Sequence, residues 1–172
     1  MTLRPLPVNA NIERWTDQGR RVHGSVTVSG MARLVELLAD GSGEAEADLH
    51  FHHDASRRPV ITGQIRAKVR LTCQRCLEPM DWEACIEVRL GIISTEAEAT
   101  GLPEEFDPFL LEDELIHLPA LVEDEIILDL PAVALHEGSE RCRPAALAAA
   151  KRPHDDRPNP FSVLQKLRQR DD

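Results

Sequence analysis

Two runs of alternating residues, separated by one short link, constrain this chain more than any other feature in it. Over residues 60–72, Ile61, Ile65, Ala67, Val69 and Leu71 point to one side, while Gln64, Arg66, Lys68, Arg70 and Thr72 point to the other. Residues 80–93 repeat the pattern, with Trp82, Ala84, Ile86, Val88, Leu90 and Ile92 on the apolar side. A period of two sustained over a dozen residues is a strand with one face in a core and one in water. The link CQRCLEP then makes the two runs a long antiparallel hairpin. Segments 21–28 and 47–52 also alternate and read as strands. Between them MARLVELLAD has helical spacing, with Leu34, Leu37 and Leu38 on one face and Gly41 as a stop. Segment 118–130 is long enough for a second helix and carries Pro119 in its first turn, where the missing N–H costs nothing. The expected fold is α+β: an antiparallel sheet with a long central hairpin, two short helices packed on it, and a flexible C-terminal tail.

Length and charge bound the rest. The 172 residues suit one core, and with aromatics at 3% that core is built from Leu, Val, Ile and Ala. We place a single domain at residues 1–142 and a basic tail at 143–172. The formal net charge is −10, which excludes a general phosphate clamp, because the average surface repels nucleic acid. Residues 81–140 hold 17 Asp and Glu against one Arg, so the acidity belongs to one block between mildly basic ends. The start, MTLRPLPVNANIERW, lacks the apolar stretch of a signal peptide, and no apolar run approaches 18 residues. The expectation is a cytoplasmic protein without membrane contact. Arg outnumbers Lys 17 to 3, which reads as compositional bias.

Four cysteines are too few for a secreted disulfide scaffold. Cys73 and Cys76, two thiols at C-x2-C spacing in the hairpin turn, form half of a tetrahedral zinc site. The best source of the other half is His136-x5-Cys142, while Cys85 lies mid-strand and reads as a small buried apolar residue. The alternatives are two reduced turn cysteines or a redox pair. A redox pair lacks the helix beginning at the motif that lowers a thioredoxin-type thiol pKa.

The stripe Arg66, Lys68, Arg70 could track phosphates. Strand parity allows Arg70 to face Glu83 and Arg66 to face Glu87, and cross-strand pairing is the preferred reading. His50, His52 and His53 read as exposed histidines on a strand edge rather than a metal triad. Glu125 and Asp129 fall on the apolar side of the 118–130 helix, where one of them could be partly buried against an arginine such as Arg75. The runs Glu112-Asp113-Glu114 and Glu123-Asp124-Glu125 read as solvated faces. There is no G-x-S-x-G, H-E-x-x-H or glycine-rich phosphate loop, so nothing singles out an enzyme or a small-molecule substrate. In the tail, Phe161, Leu164 and Leu167 recur at three-residue spacing after Asn159-Pro160, a short amphipathic segment that docks or orders on a partner.

Three blocks, CQRCLEP, LVEDEIILDLPAVALH with a cysteine at 142, and NPFSVLQKLR, occur here in the order found in the YceD family of large ribosomal RNA subunit accumulation proteins. The chain resembles that family over residues 58–168, departing from it at Ala134, where a second proline often precedes the histidine. The resemblance implies a non-enzymatic bacterial cytoplasmic factor in synthesis, processing or stability of 23S ribosomal RNA. Set against the net charge, that role suggests a basic partner, a ribosomal protein or large-subunit assembly factor, met by the acidic segment 96–129. A second mode is local contact with 23S rRNA near the hairpin turn and the tail. Candidate contact residues are Arg75, Glu123, Asp124, Phe161, Leu164 and Arg168. The competing expectation is a small zinc-binding interaction module outside ribosome assembly.

Overall fold

The computed structural model describes residues 4–111, 113–137 and 142. The chain divides into two units, residues 1–136 and 137–172. All of the described strands and helices belong to the first; the described residues of the second are Glu137 and Cys142, the latter buried.

The frame is a five-stranded sheet of β2 (Arg21–Thr27), β3 (Gly43–His53), β4 (Pro59–Thr72), β5 (Pro79–Ile93) and β6 (Asp107–Leu110), in that spatial order. β2 through β5 are antiparallel neighbours, and β6 joins β5 in parallel. A separate two-stranded ribbon pairs β1 (Asn9–Asn11) with β7 (Leu115–His117). Among its described residues the unit also has three α-helices, α1 (Ile12–Asp17), α2 (Ala32–Val35) and α3 (Leu118–Asp129), and two short 3-10 turns, Val28–Gly30 and Glu96–Gly101.

The alternation seen in the sequence sets the core. Phe51, Ile61, Ile65, Val69, Val88 and Leu90 all lie on one face of the sheet and are buried. Leu118, Leu121, Val122 and Ile126 of α3 join the same core. α3 starts where expected: the His117 Nδ1 accepts the Ala120 N–H at 3.2 Å and Pro119 occupies the first turn. Asn11 Oδ1 caps α1 by accepting the Arg14 N–H at 2.9 Å. Trp15 of that helix meets Phe51 edge to face, with ring centroids 5.1 Å apart.

Several expectations need correction. The MARLVELLAD helix is cut to Ala32–Val35, because the chain then turns so that the Ala39 N–H donates to the Arg70 carbonyl at the end of β4. The sheet is not purely antiparallel: β6 is a parallel edge strand whose Pro108 hid it from a propensity reading, although an edge tolerates proline. The β4–β5 register is two residues off the expected one. Lys68 faces Glu83, Arg70 faces Asp81 and Gln64 faces Glu87, since the closing pair is Thr72 with Pro79. Two of the three stripe cations are ion-paired, Lys68 to Glu83 at 3.0 Å and Arg70 to Asp40 at 2.9 Å, while Arg66 lies opposite Cys85 rather than Glu87 and donates to the Gln64 Oε1 at 2.8 Å. Cys85 faces Arg66 on the outer face and is exposed, not buried. The histidines lie on an interior strand, β3, rather than an edge; His50 and His52 stack at 4.5 Å on the sheet's outer side.

Candidate metal centre

The hairpin turn comprises Cys73 to Glu78, six residues between β4 and β5. It closes on itself through two backbone bonds: the Cys73 N–H donates to the Glu78 carbonyl at 2.9 Å, and the Leu77 N–H donates to the Cys73 carbonyl at 2.8 Å. Leu77 takes φ 62°, the left-handed conformation that lets the chain double back so tightly. Cys73 is buried and Cys76 half-buried.

The histidine arrives from the other direction. α3 ends at Asp129, Leu130 and Pro131 turn the chain away, and the Ala134 carbonyl accepts the Gln74 N–H at 2.9 Å. That bond, with those His136 makes to Cys73, clips the segment to the turn. Two residues later the His136 Nδ1 stands 3.4 Å from the Cys76 Sγ. The donor atoms of Cys73, Cys76 and His136 lie within 4.8 Å of one another. Tetrahedral zinc with Zn–S near 2.3 Å and Zn–N near 2.0 Å would set its donors about 3.5–3.8 Å apart, so the set needs only slight contraction around an ion.

The protonation state also suits a metal. Burial pushes the Cys73 thiol up, but the backbone N–H groups of Cys76, His136 and Arg75, with the His136 side chain, outweigh it and hold the pKa at about 5. A thiolate is the ligand form of cysteine, and these donors stabilise it.

Arg75 is exposed in the hairpin turn. Glu123 is 7% exposed and engaged inside the protein: its Oε1 accepts the N–H groups of Arg33 and Leu34 at 2.8 and 3.0 Å, and its Oε2 pairs with the Arg33 guanidinium at 2.9 Å. The triplet 123–125 is therefore not a uniformly solvated face. Asp124 bonds the same guanidinium from a more exposed position. Glu125 is half-buried, but Asp107 and Asp124 are its charged neighbours, not an arginine; burial first, then those two carboxylates, raise its pKa. Asp129 is exposed. Phe161, Leu164, Arg168 and Glu112 lie outside the described residues. Among the described residues, the cysteine–histidine set is the one group arranged to hold a metal. Nothing in residue identity marks Leu77's role, since a left-handed position is usually marked by Gly or Asn.

Fold and site together define an α+β protein built on a five-stranded sheet, with a cysteine–histidine clip at a hairpin turn. No helix among the described residues is long and apolar enough to cross a membrane. The family model described as "Large ribosomal RNA subunit accumulation protein YceD" matches residues 61–168, and the chain belongs to that family. The protein of that name from Haemophilus influenzae is 32% identical over 152 residues, covering 86% of this chain and 87% of the relative. No solved structure matches the chain.

Proposed function

We propose that this protein is a non-enzymatic cytoplasmic factor in the accumulation of the large ribosomal RNA subunit, working through a basic protein partner. Family membership carries the reading. The charge supports its mechanistic half. Glu96, Glu98, Glu104, Glu105, Asp113 and Glu114 are all exposed, and a surface of that sign attracts a ribosomal protein or a basic assembly factor rather than bare RNA. Local contact with 23S rRNA is left to Arg75 and to the basic tail.

Within this reading the hairpin turn is a structural zinc site. Cys73, Cys76 and His136 supply three ligands, and the x5 spacing after His136 nominates Cys142 for the fourth. Its spacing supports the role, since six residues of extended chain after His136 span up to about 20 Å, and the side chain is buried. A closed four-ligand site locks a turn and does no chemistry on a substrate. The cluster alone also fits a zinc-binding interaction module unrelated to ribosomes, and co-sedimentation separates the two. Association with large-subunit precursors, weakened by salt, is expected. A chelator-sensitive fold with no such association would reject the ribosomal role. Protein purified without chelator should carry about one zinc per chain, lost in Cys76→Ser and kept in Cys85→Ser; equal zinc in both variants would reject the site.

A further inference from the structure

Exposed apolar side chains are unevenly spread over the first unit. Among the described residues, five of the eight large hydrophobic side chains that are exposed, Leu37, Leu77, Leu128, Val133 and Leu135, come from three neighbouring stretches: the turn after α2, the hairpin turn, and the end of α3 with the chain leaving it. Leu37 and Leu77 border an open groove of about 680 Å³ that also takes in Leu71, Ile127, Leu130 and Pro131. Leu77 is 75% exposed, because the left-handed turn holds it away from the core.

The charged residues next to groove residues in the sequence are mostly acidic: exposed Glu36, Glu78 and Asp129 adjoin Leu37, Leu77 and Leu130, against Arg75 beside Gln74 and Arg70 beside Leu71, the latter already paired with Asp40 and Asp81. The C-terminal end of α3 adds to this. Its last turn contains Asp129 and no basic residue, so the negative pole of the helix is uncompensated where Leu130 and Pro131 enter the groove. An apolar floor with a negative rim selects its occupant by charge. We propose that the groove seats an amphipathic, Lys- and Arg-rich segment of a partner protein. Its apolar side chains lie on Leu37, Leu77 and Ile127, and its cations lie on Asp129 and the end of α3. RNA is disfavoured by the same carboxylates, and a second copy of this chain would bring a second acidic rim against the first. The inference rests on the reading of a basic partner given above and supplies the surface on which that partner docks.

The test uses the full chain in cells, with p-benzoylphenylalanine placed at Leu77 and, as a control, at the exposed Leu110 of β6. Light should give an adduct from position 77 and not from 110, and the captured peptide should be net positive with interspersed apolar residues. Leu37→Glu should lower its yield about tenfold, the effect of one charge set in an apolar contact, without changing the thermal midpoint. An adduct with a second copy, with this chain itself or with RNA would overturn the proposal, as would a yield indifferent to Leu37→Glu. If Leu37→Glu/Leu77→Glu co-sediments with large-subunit precursors as well as the wild type does, the groove proposal falls and the ribosomal reading stands. If the wild type fails to co-sediment, the ribosomal reading itself falls.

Discussion

Removing the carboxylate of Glu123 tests how two distant parts of the fold are joined. α2 is only four residues long and has no side-chain cap of its own. Its first N–H groups, those of Arg33 and Leu34, are satisfied instead by Glu123, some 90 residues away on α3. Glu123→Ala strands the Leu34 N–H, which belongs to a residue with 0% exposure, at a cost of about 1–3 kcal/mol. It also removes a charge-assisted bond to the Arg33 N–H, which water partly replaces because Arg33 is exposed. Together these give about 3 kcal/mol, or roughly 10 °C in thermal midpoint for a unit of this size. Glu123→Gln separates the cap from the charge. Oε1 accepts both backbone bonds, so a glutamine carbonyl can keep them and lose only the pair with Arg33, itself more than half exposed. Its cost should be well under half that of alanine. Thermal and urea unfolding, each followed by two probes, measure both variants. Equal losses in the two would mean that charge and not capping joins the elements. Losses below about 0.5 kcal/mol in both would refute the capping argument outright. The pH dependence has a fixed sign. Burial alone would raise the Glu123 pKa, but the Leu34 N–H and the Arg33 side chain and N–H lower it. Its contribution is thus present above the ordinary carboxylate range and lost as pH falls through the depressed folded value.

Glu125 should behave oppositely. Burial, Asp107 and Asp124 raise its pKa, so the ionised form is the costly one in the folded state and its favourable contribution is lost as pH rises through the raised value. Glu125→Gln is expected to unfold at a higher temperature than wild type at pH 7, with the gap closing toward pH 4; a lower midpoint at pH 7 would contradict this. On the outer face of the sheet, Asp81→Asn/Glu83→Gln leaves Lys68 without its facing carboxylate and Arg70 with Asp40 alone. Affinity for a single-stranded RNA oligonucleotide at low salt should appear where the wild type has none, and its log–log salt slope should grow by about 0.7 for each phosphate engaged. No gain in affinity would mean that pairing does not keep this strand face from RNA.

The parts of the fold legible in the sequence were those whose residues report only on their own faces. The alternation of 60–72 and 80–93 and the proline-led helix at 118 follow from local period and backbone chemistry, and β4, β5 and α3 stand where those signals put them. What escaped depended on partners elsewhere in the chain. α2 stops at Val35 because β4 supplies an acceptor to Ala39, which no window of 18 residues contains. β6 is four residues with a proline, too short for any period to register. The two-residue register error arose because a turn of six residues closed by Leu77 in the left-handed region cannot be read from CQRCLEP, where no glycine or asparagine marks that position.

The same distinction explains why the metal cluster was half visible. Cys73 and Cys76 share one turn, so their spacing alone put them together. His136 comes from 60 residues further on, and what delivers it is a backbone bond from Gln74 to Ala134, which leaves no trace in residue identity. That bond has an energetic consequence. It ties the hairpin turn to the chain leaving α3, and these two stretches are also walls of the apolar groove, through Gln74 and Leu77 on one side and Leu130 and Ala134 on the other. Metal held by Cys73, Cys76 and His136 would reinforce the same tie, because a ligand set drawn from both walls resists their separation. Loss of the metal should therefore weaken docking in the groove even though no ligand lines it, and zinc content and photo-adduct yield at Leu77 should fall together in Cys76→Ser. A variant that loses its zinc yet keeps its full adduct yield would show that the Gln74–Ala134 bond and the bonds between His136 and Cys73 hold the two walls without metal.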